Sequence, residues 1–373
     1  MRLSKAFLRI GIFDPYLDSL GGGERYTLTV AEYLSKNNQI EIFWDGEDLR
    51  GEAEKRLPLD LERVRFVSNI FTQERNLLER LLKTNRYDLI FYLSDGSIPS
   101  SLAKKNILHF QTPFIHVRGK TILNKLKLSR FKWIICNSYF TKKFIDKTYG
   151  VKSIVIYPPV DVAKLAPEKK RNLILTVGRF TSFFENKHSF SSNKQSFSSN
   201  KKQEVMIEAF KNLIDQGLSG WEFYLVGGLL ESDRNYFKKL ENQVSGYPIK
   251  LLPNISFSEL KKYYGEAKIY WHGKGYGEDE EKNPELFEHF GISCVEAMAA
   301  GAVPIVFDGG GLREIIEDGS GLLWQLPEDL QNLTRELIGD EDKLLRLSNG
   351  AQKRAKDFSK ETFLRRFDEI LTK

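Results

Sequence analysis

The sequence predicts an α/β protein made of two Rossmann-like, doubly wound parallel sheets that face each other across a cleft. Three observations carry this reading. A chain of 373 residues is long enough for two such domains. Short apolar β-rich runs alternate with amphipathic stretches through both halves, the signature of strand–helix–strand units whose strands pair in parallel. Near the middle, Tyr157-Pro158-Pro159-Val160-Asp161 interrupts the alternation with two prolines, which places a domain boundary there. The expected domains are 1–160 and 161–351, followed by a C-terminal segment, 352–373.

The elements follow in order. Strands are expected at Phe7–Phe13, Ile40–Trp44, Val64–Val67, Leu89–Leu93, Lys105–Phe110, Trp133–Asn137 and Ser153–Ile156, and helices at Glu24–Asn37, Gln73–Leu82 and Ser138–Tyr149. The second half repeats the pattern. Strands are expected at Asn172–Val177, Trp221–Val226, Ile249–Leu252, Ile269–His272 and Val303–Phe307, and helices at Glu204–Asp215, Asp233–Val244, Ser256–Ala267 and Cys294–Ala300. Ligands of such sheets bind at the carboxyl ends of the strands, so the cleft is the expected site.

Net charge is +6, a mild basic excess that points away from nucleic acid and is compatible with an anionic substrate or an anionic membrane face. The two cysteines, Cys136 and Cys294, stand far apart in apolar segments and read as core thiols of a reducing, cytoplasmic protein. No apolar run is long enough to cross a bilayer, and the N-terminus leads straight into a strand rather than a signal peptide. The histidines, at 109, 116, 188, 272 and 289, show no zinc spacing.

The most informative segment is Glu288-His289-Phe290-Gly291-Ile292-Ser293-Cys294-Val295-Glu296, followed by Ala297 to Gly301 and the apolar run Val303–Phe307. It reads as a loop feeding a helix, a glycine stop and a buried strand. The helix start presents free N–H groups and the positive end of a dipole, which suits a phosphate or a polarised hydroxyl. Glu288 on the loop and Glu296 on the helix flank that common site.

This segment resembles the E-x7-E signature of retaining nucleotide-sugar glycosyltransferases of family 4, whose fold is GT-B. The resemblance implies that Glu296 binds the ribose, and that Glu288 with the backbone of Phe290, Gly291, Ile292 and Ser293 contacts the donor sugar. It also implies that the C-terminal helix crosses back onto the first domain, as Phe358-Ser359-Lys360-Glu361-Thr362-Phe363 resembles that element. GT-B enzymes in general need no divalent cation, so no metal and no cofactor is expected.

Further landmarks match the family. Val177-Gly178-Arg179-Phe180 ends a strand, and the resemblance gives Arg179, with a following lysine, the donor diphosphate. Fixed positive charge there stabilises the charge that develops as the glycosidic bond breaks. A seven-residue tandem repeat over 186–203 reads as a mobile, duplicated loop and offers Lys187, Lys194 and Lys201 in the same register. Lys201 stands just before Lys202-Gln203-Glu204-Val205-Met206, which matches the family's helix, and is the expected contact, with Lys202 in reserve. Gly22, Gly23 and Glu24 open the first helix in the form of the family's acceptor-side loop. They do not form G-x-G-x-x-G, so dinucleotide binding is disfavoured. In His109-Phe110-Gln111-Thr112-Pro113, Gln111 holds the place of a histidine found in many relatives. His109 lies two positions earlier, with either a sugar-binding or a structural role. Trp271-His272-Gly273-Lys274-Gly275 is similar to donor-site segments of relatives, the acidic run Glu278–Glu281 reads as a solvated loop, and Gly309-Gly310-Gly311-Leu312-Arg313-Glu314 as a positional turn.

Residues 118–132 hold six basic residues, interleaved leucines and no acid. They read either as a surface helix or as a patch for an anionic membrane, as in relatives with lipid-linked acceptors. The function expected is transfer of a hexosyl group, with retention, from a UDP- or GDP-sugar to a saccharide or lipid-linked acceptor. A GT-B epimerase and an inactive sugar-nucleotide-binding paralogue are the alternatives.

Overall fold

The computed structural model of the protein describes residues 7–19, 21–57, 59–72, 76–181 and 201–372. The tandem repeat with Lys187 and Lys194 lies outside the described residues, whereas Lys201 and Lys202 lie within them. The chain divides into two units, one formed by 1–159 with 360–373 and the other by 160–359.

In the first unit the elements are β1 (Arg9–Phe13), α1 (Gly22–Ser35), β2 (Gln39–Phe43), α2 (Arg50–Arg56), β3 (Val64–Val67), α3 (Leu77–Thr84), β4 (Leu89–Leu93), β5 (Lys105–Phe110), α4 (Ile122–Leu128), β6 (Trp133–Cys136), α5 (Tyr139–Tyr149) and β7 (Ile154–Val155). The strands form one sheet in the order β3-β2-β1-β4-β5-β6-β7, and every paired neighbour is parallel. β4 is buried at all five positions, as a strand covered on both faces must be. One face packs against Tyr26, Val30 and Leu34 of α1, and the other holds Ile70, Leu128, Phe131 and Tyr149.

The second unit runs β8 (Arg171–Val177), α6 (Gln203–Asp215), β9 (Glu222–Gly227), α7 (Arg234–Val244), β10 (Ile249–Pro253), α8 (Phe257–Glu266), β11 (Ala267–His272), α9 (Ile292–Ala299), β12 (Val303–Phe307), α10 (Leu312–Ile315), β13 (Leu322–Trp324), α11 (Pro327–Gly339) and α12 (Glu341–Ala355). Its parallel sheet has the order β10-β9-β8-β11-β12-β13. The last helix, α13 (Lys360–Leu371), belongs to the first unit, where Phe363, Phe367 and Ile370 present one apolar stripe to the α1 side of the core.

Two details differ from the sequence reading. The change of unit near the C-terminus falls after Ser359 rather than after 351, because α12 continues to Ala355 and Ser359 bridges Val160 in parallel within the second unit. α3 starts at Leu77 rather than Gln73, where the Asn76 side chain accepts a hydrogen bond from Leu78 N and caps the helix.

In both sheets the strand order reverses between the first and fourth strands. The two switch points are therefore β1 beside β4 and β8 beside β11, where ligands of doubly wound sheets bind.

Candidate active site

The carboxyl ends of β8 and β11 carry the chemistry of the second unit. β8 delivers Gly178 and Arg179; β11 delivers His272, Gly273 and Lys274. The Arg179 side chain is exposed and makes no ion pair among the described residues, while its carbonyl accepts a hydrogen bond from Gln203 Nε2 at 2.9 Å, tying the loop to α6. Just before α6, the Lys201 ammonium pairs with the Glu288 carboxylate. A Cβ on Gly178 would stand 2.8 Å from Lys201 Cγ, so glycine is what lets the lysine stem pass.

Glu288 also accepts a hydrogen bond from His272, whose Nε2 is 3.1 Å from Oε2. The Lys274 amide donates to His272 Nδ1 at 3.4 Å, which assigns the proton of the neutral ring to Nε2. Burial lowers the His272 pKa and so favours that neutral ring. At Glu288 burial pushes the pKa upward, but the charges of Lys201 and Lys274 and the His272 hydrogen bond outweigh it and hold the carboxyl well below its ordinary range. The Lys274 ammonium is buried too, and burial lowers it to about 8.

The backbone of the segment is held separately. The Glu288 carbonyl accepts from Gly311 N at 2.7 Å, the positional task expected of the triple-glycine turn. Gly291 turns the chain into α9 at φ +115°, where a Cβ would also meet Leu312 Cδ2 at 2.9 Å. No side chain caps α9, whose Cys294 N–H turns back to the Gly291 carbonyl at 3.0 Å. Ser293 Oγ accepts from Tyr270 OH at 2.8 Å, and buried Glu296 accepts from Tyr264 OH at 2.9 Å. Phe290 is buried against Phe358, so it offers the site its backbone and not its ring.

The structure thus gathers Gly178, Arg179, Lys201, His272, Gly273, Glu288 and the Gly291–Glu296 turn at the end of one sheet. Sequence reasoning missed Lys274, Tyr264 and Tyr270, because a lysine after a strand or a tyrosine within a core element carries no motif. It also misread the acidic run Glu278–Glu281 as a solvated loop. Glu278 pairs with Lys202 at 2.6 Å and Glu280 with Arg313 at 2.7 Å, so two of the four acids tie this loop to α6 and α10. Lys202 itself is the N-cap of α6 in the left-handed region, φ 59°, and turns away from Glu288.

In the first unit, the loop after β1 meets the end of β5. Gln111 Nε2 donates to Gly23 O at 3.0 Å, and Glu24 caps its own helix by accepting from Gly21 N at 2.6 Å. Gly22, Gly23, Glu24 and Gln111 therefore come together. His109 does not join them: of the sugar-binding and structural roles left open for it, its full burial fits the structural one and corrects the sugar-binding, catalytic one. The ring is fully buried and stacked on Tyr26, with ring centroids 3.9 Å apart. Burial lowers its pKa to about 3, so it is a neutral core residue of the α1 face. Among the described residues, no three His, Cys, Asp or Glu side chains cluster as metal ligands, and no helix is long and apolar enough to cross a membrane.

Residues 160–354 match the family Glycosyl transferases group 1, and residues 20–164 match Glycosyltransferase Family 4. The chain belongs to the group 1 glycosyl transferases. It is similar to an uncharacterized glycosyltransferase of Methanocaldococcus jannaschii, with 29% identity over 79% of this chain and 77% of that protein. It is also similar to the GDP-Man:Man(3)GlcNAc(2)-PP-Dol alpha-1,2-mannosyltransferase of Dictyostelium discoideum, with 24% identity over 63% of this chain and 46% of the relative. The O-antigen chain mannosyltransferase RfbU of Salmonella typhimurium is 28% identical over 59% of this chain and 54% of its own. The chain thus spans about half the length of these two mannosyltransferases. Among solved structures, a glycosyltransferase from Rickettsia africae superposes with TM-score 0.76 at 20% identity, covering 98% of both chains. Anabaena Alr3699/HepE in complex with UDP and glucose gives 0.69 at 19% identity, over 98% of this chain and 99% of that one. These neighbours establish the GT-B fold, and the family establishes a hexosyltransferase of the family 4 type.

Proposed function

We propose that this glycosyltransferase transfers a hexosyl group from a UDP- or GDP-sugar, with retention of configuration, to a saccharide or lipid-linked acceptor. The observation that carries the reading is the ion pair of Lys201 with Glu288 at the switch point, where β8 leads into Arg179, beside an uncapped helix that bears Glu296. Arg179 and Lys201 would hold the diphosphate, Glu296 the ribose, and Glu288 with the Phe290–Ser293 backbone the sugar. In the proposed reaction the bond from the anomeric carbon to the phosphate oxygen breaks as a bond to the acceptor oxygen forms on the same face. The acceptor proton passes to the leaving phosphate, and the cations stabilise the charge that develops there. The Gly22–Glu24 turn and Gln111 would contact the acceptor. No metal is assigned a role. Names of the relatives support the substrate class: two are mannosyltransferases, one with a GDP-Man donor and a PP-Dol acceptor.

The test is incubation of the protein with UDP- and GDP-hexoses, with and without candidate acceptors and with excess chelator. Products are read by mass spectrometry and the anomeric configuration by NMR. Acceptor-dependent release of nucleoside diphosphate with retention, unchanged by chelator, is expected. Acceptor-independent epimerisation, inversion or donor binding without turnover contradicts the reading.

A peripheral position on the inner face of an anionic membrane is part of the proposal. α4 leaves Ile122, Leu123 and Leu126 exposed among the basic residues of 118–132, while Leu128 and Phe131 turn into the core. Co-sedimentation with anionic vesicles at low salt, lost at high salt, is expected; no binding at low salt removes this part.

A further inference from the structure

We propose that Lys274 is an anion contact of the donor site, its ammonium taking an anionic oxygen of the bound donor. The inference rests on the donor reading above and adds to it a residue that no motif marks. Lys274 follows β11 directly, at the switch point, and is only 9% exposed. Its ammonium has no hydrogen bond or ion pair among the described residues. Other lysines of this unit differ: Lys201 pairs with Glu288 and Lys202 with Glu278, and at the opposite end of the sheet the Lys170 ammonium donates to the carbonyls of Ala267 and Ala300 at 2.7 Å each. The lysine stem is thus buried while its ammonium is not sealed from solvent, and among the described residues Lys274 is the one lysine or arginine buried to this degree.

The groups whose charges act on Lys274 are Glu288 on the loop before α9, Lys201 before α6 and Arg179 after β8. His272 and His289 also sense its charge, and burial keeps both rings neutral. With Lys274 itself, three cations face one carboxylate in this immediate group, and Glu296 lies further along α9. A diphosphate linking a nucleoside to a sugar carries two negative charges. Lys201 is held by Glu288 until a ligand competes for it, and Lys274 adds a further cation beside Lys201 and Arg179. The same chemistry would serve a carboxylate on the sugar, and the experiment separates the two sources.

Titration calorimetry of UDP, GDP, a nucleotide-hexose and a nucleotide-hexuronate is carried out on the full chain, its Lys274→Met variant and its Lys274→Arg variant. If the diphosphate is the partner, Lys274→Met weakens all four by tenfold or more, and Lys274→Arg restores most of the loss. If a sugar carboxylate is the partner, only the hexuronate weakens. Removal of the unpaired charge leaves the melting temperature of the ligand-free protein equal or higher. Since burial brings the ammonium to about 8, wild-type binding also weakens as pH rises through that value, and Lys274→Met abolishes the step. Unchanged affinity for all four ligands in Lys274→Met, or a fall in its ligand-free melting temperature, overturns the proposal. Failure of the wild type to bind any of the four defeats the donor reading itself.

Discussion

The Lys201 ammonium is ion-paired with the Glu288 carboxylate, which at the same time receives the Nε2–H of His272. Two residues 87 positions apart in the chain are joined at the end of one sheet. Of the lysines offered in one register by the tandem repeat, Lys201 lies among the described residues and stands at the site. A diphosphate arriving there would compete with Glu288 for Lys201, leaving the carboxylate to the sugar.

In the proposed reaction, replacing Lys201 with alanine removes a charge acting on the leaving group. Turnover is expected to fall by roughly 10²–10³, the usual effect of losing one such electrostatic contact. The far-ultraviolet circular dichroism should stay as in the wild type. Steady-state kinetics checks this, and wild-type turnover in Lys201→Ala would remove the residue from the machinery.

The Glu278–Lys202 pair is expected to set where Lys201 stands. Lys202 sits in the left-handed region, which an unbranched L-residue adopts at a cost, and the half-buried Glu278 holds it there. Glu278→Ala should lower stability by about 1–2 kcal/mol, between an exposed and a fully buried pair. It should also lower kcat more than it raises KM. The charge swap Glu278→Lys with Lys202→Glu should recover part of both; no recovery would mean that the pair does not position the loop.

Much of this was legible in the sequence, and the reason is local. The Glu288–Val306 segment encodes its loop, helix and strand by neighbouring residues, so Gly291, Glu296 and β12 stand where the pattern puts them. The alternation of periods revealed both sheets for the same reason. What stayed hidden depends on contacts distant in sequence. Tyr264 and Tyr270 reach Glu296 and Ser293 across the fold, Glu278 finds Lys202 across 76 positions, and nothing near Lys274 marks its burial. His109 shows the converse. Strand periodicity correctly puts it on the same side as Gln111, towards α1, but only the packing of Tyr26 and Phe91 decides that it is core.

His109→Leu is accordingly expected to keep full activity and an equal or higher melting temperature. The histidine buries a polar ring among apolar neighbours, and an apolar replacement lowers the cost of that burial. Loss of turnover with an intact fold would return His109 to the chemistry.

Lys170 makes stability depend on pH. Burial lowers its pKa from 10.5 to about 7 in the folded state. Between those values the unfolded chain binds more protons than the folded one, so stability rises with pH across that window. The stabilising term is absent below about 7 and grows above it. Thermal melts from pH 7 to 9 should show a steeper rise for the wild type than for Lys170→Met, which titrates nothing there. Equal slopes would contradict the burial assigned to Lys170.

The carboxyl ends of β8 and β11, with the start of α9, are the proposed nucleoside-diphosphate site. Its most direct test is calorimetric binding of UDP and GDP to the wild type, Arg179→Ala and Glu296→Ala. Binding of one or both nucleotides by the wild type is predicted, weakened about tenfold or more in each variant, equivalent to about 1.4 kcal/mol. A wild type that binds neither nucleotide, or variants that bind as tightly as the wild type, would contradict this assignment.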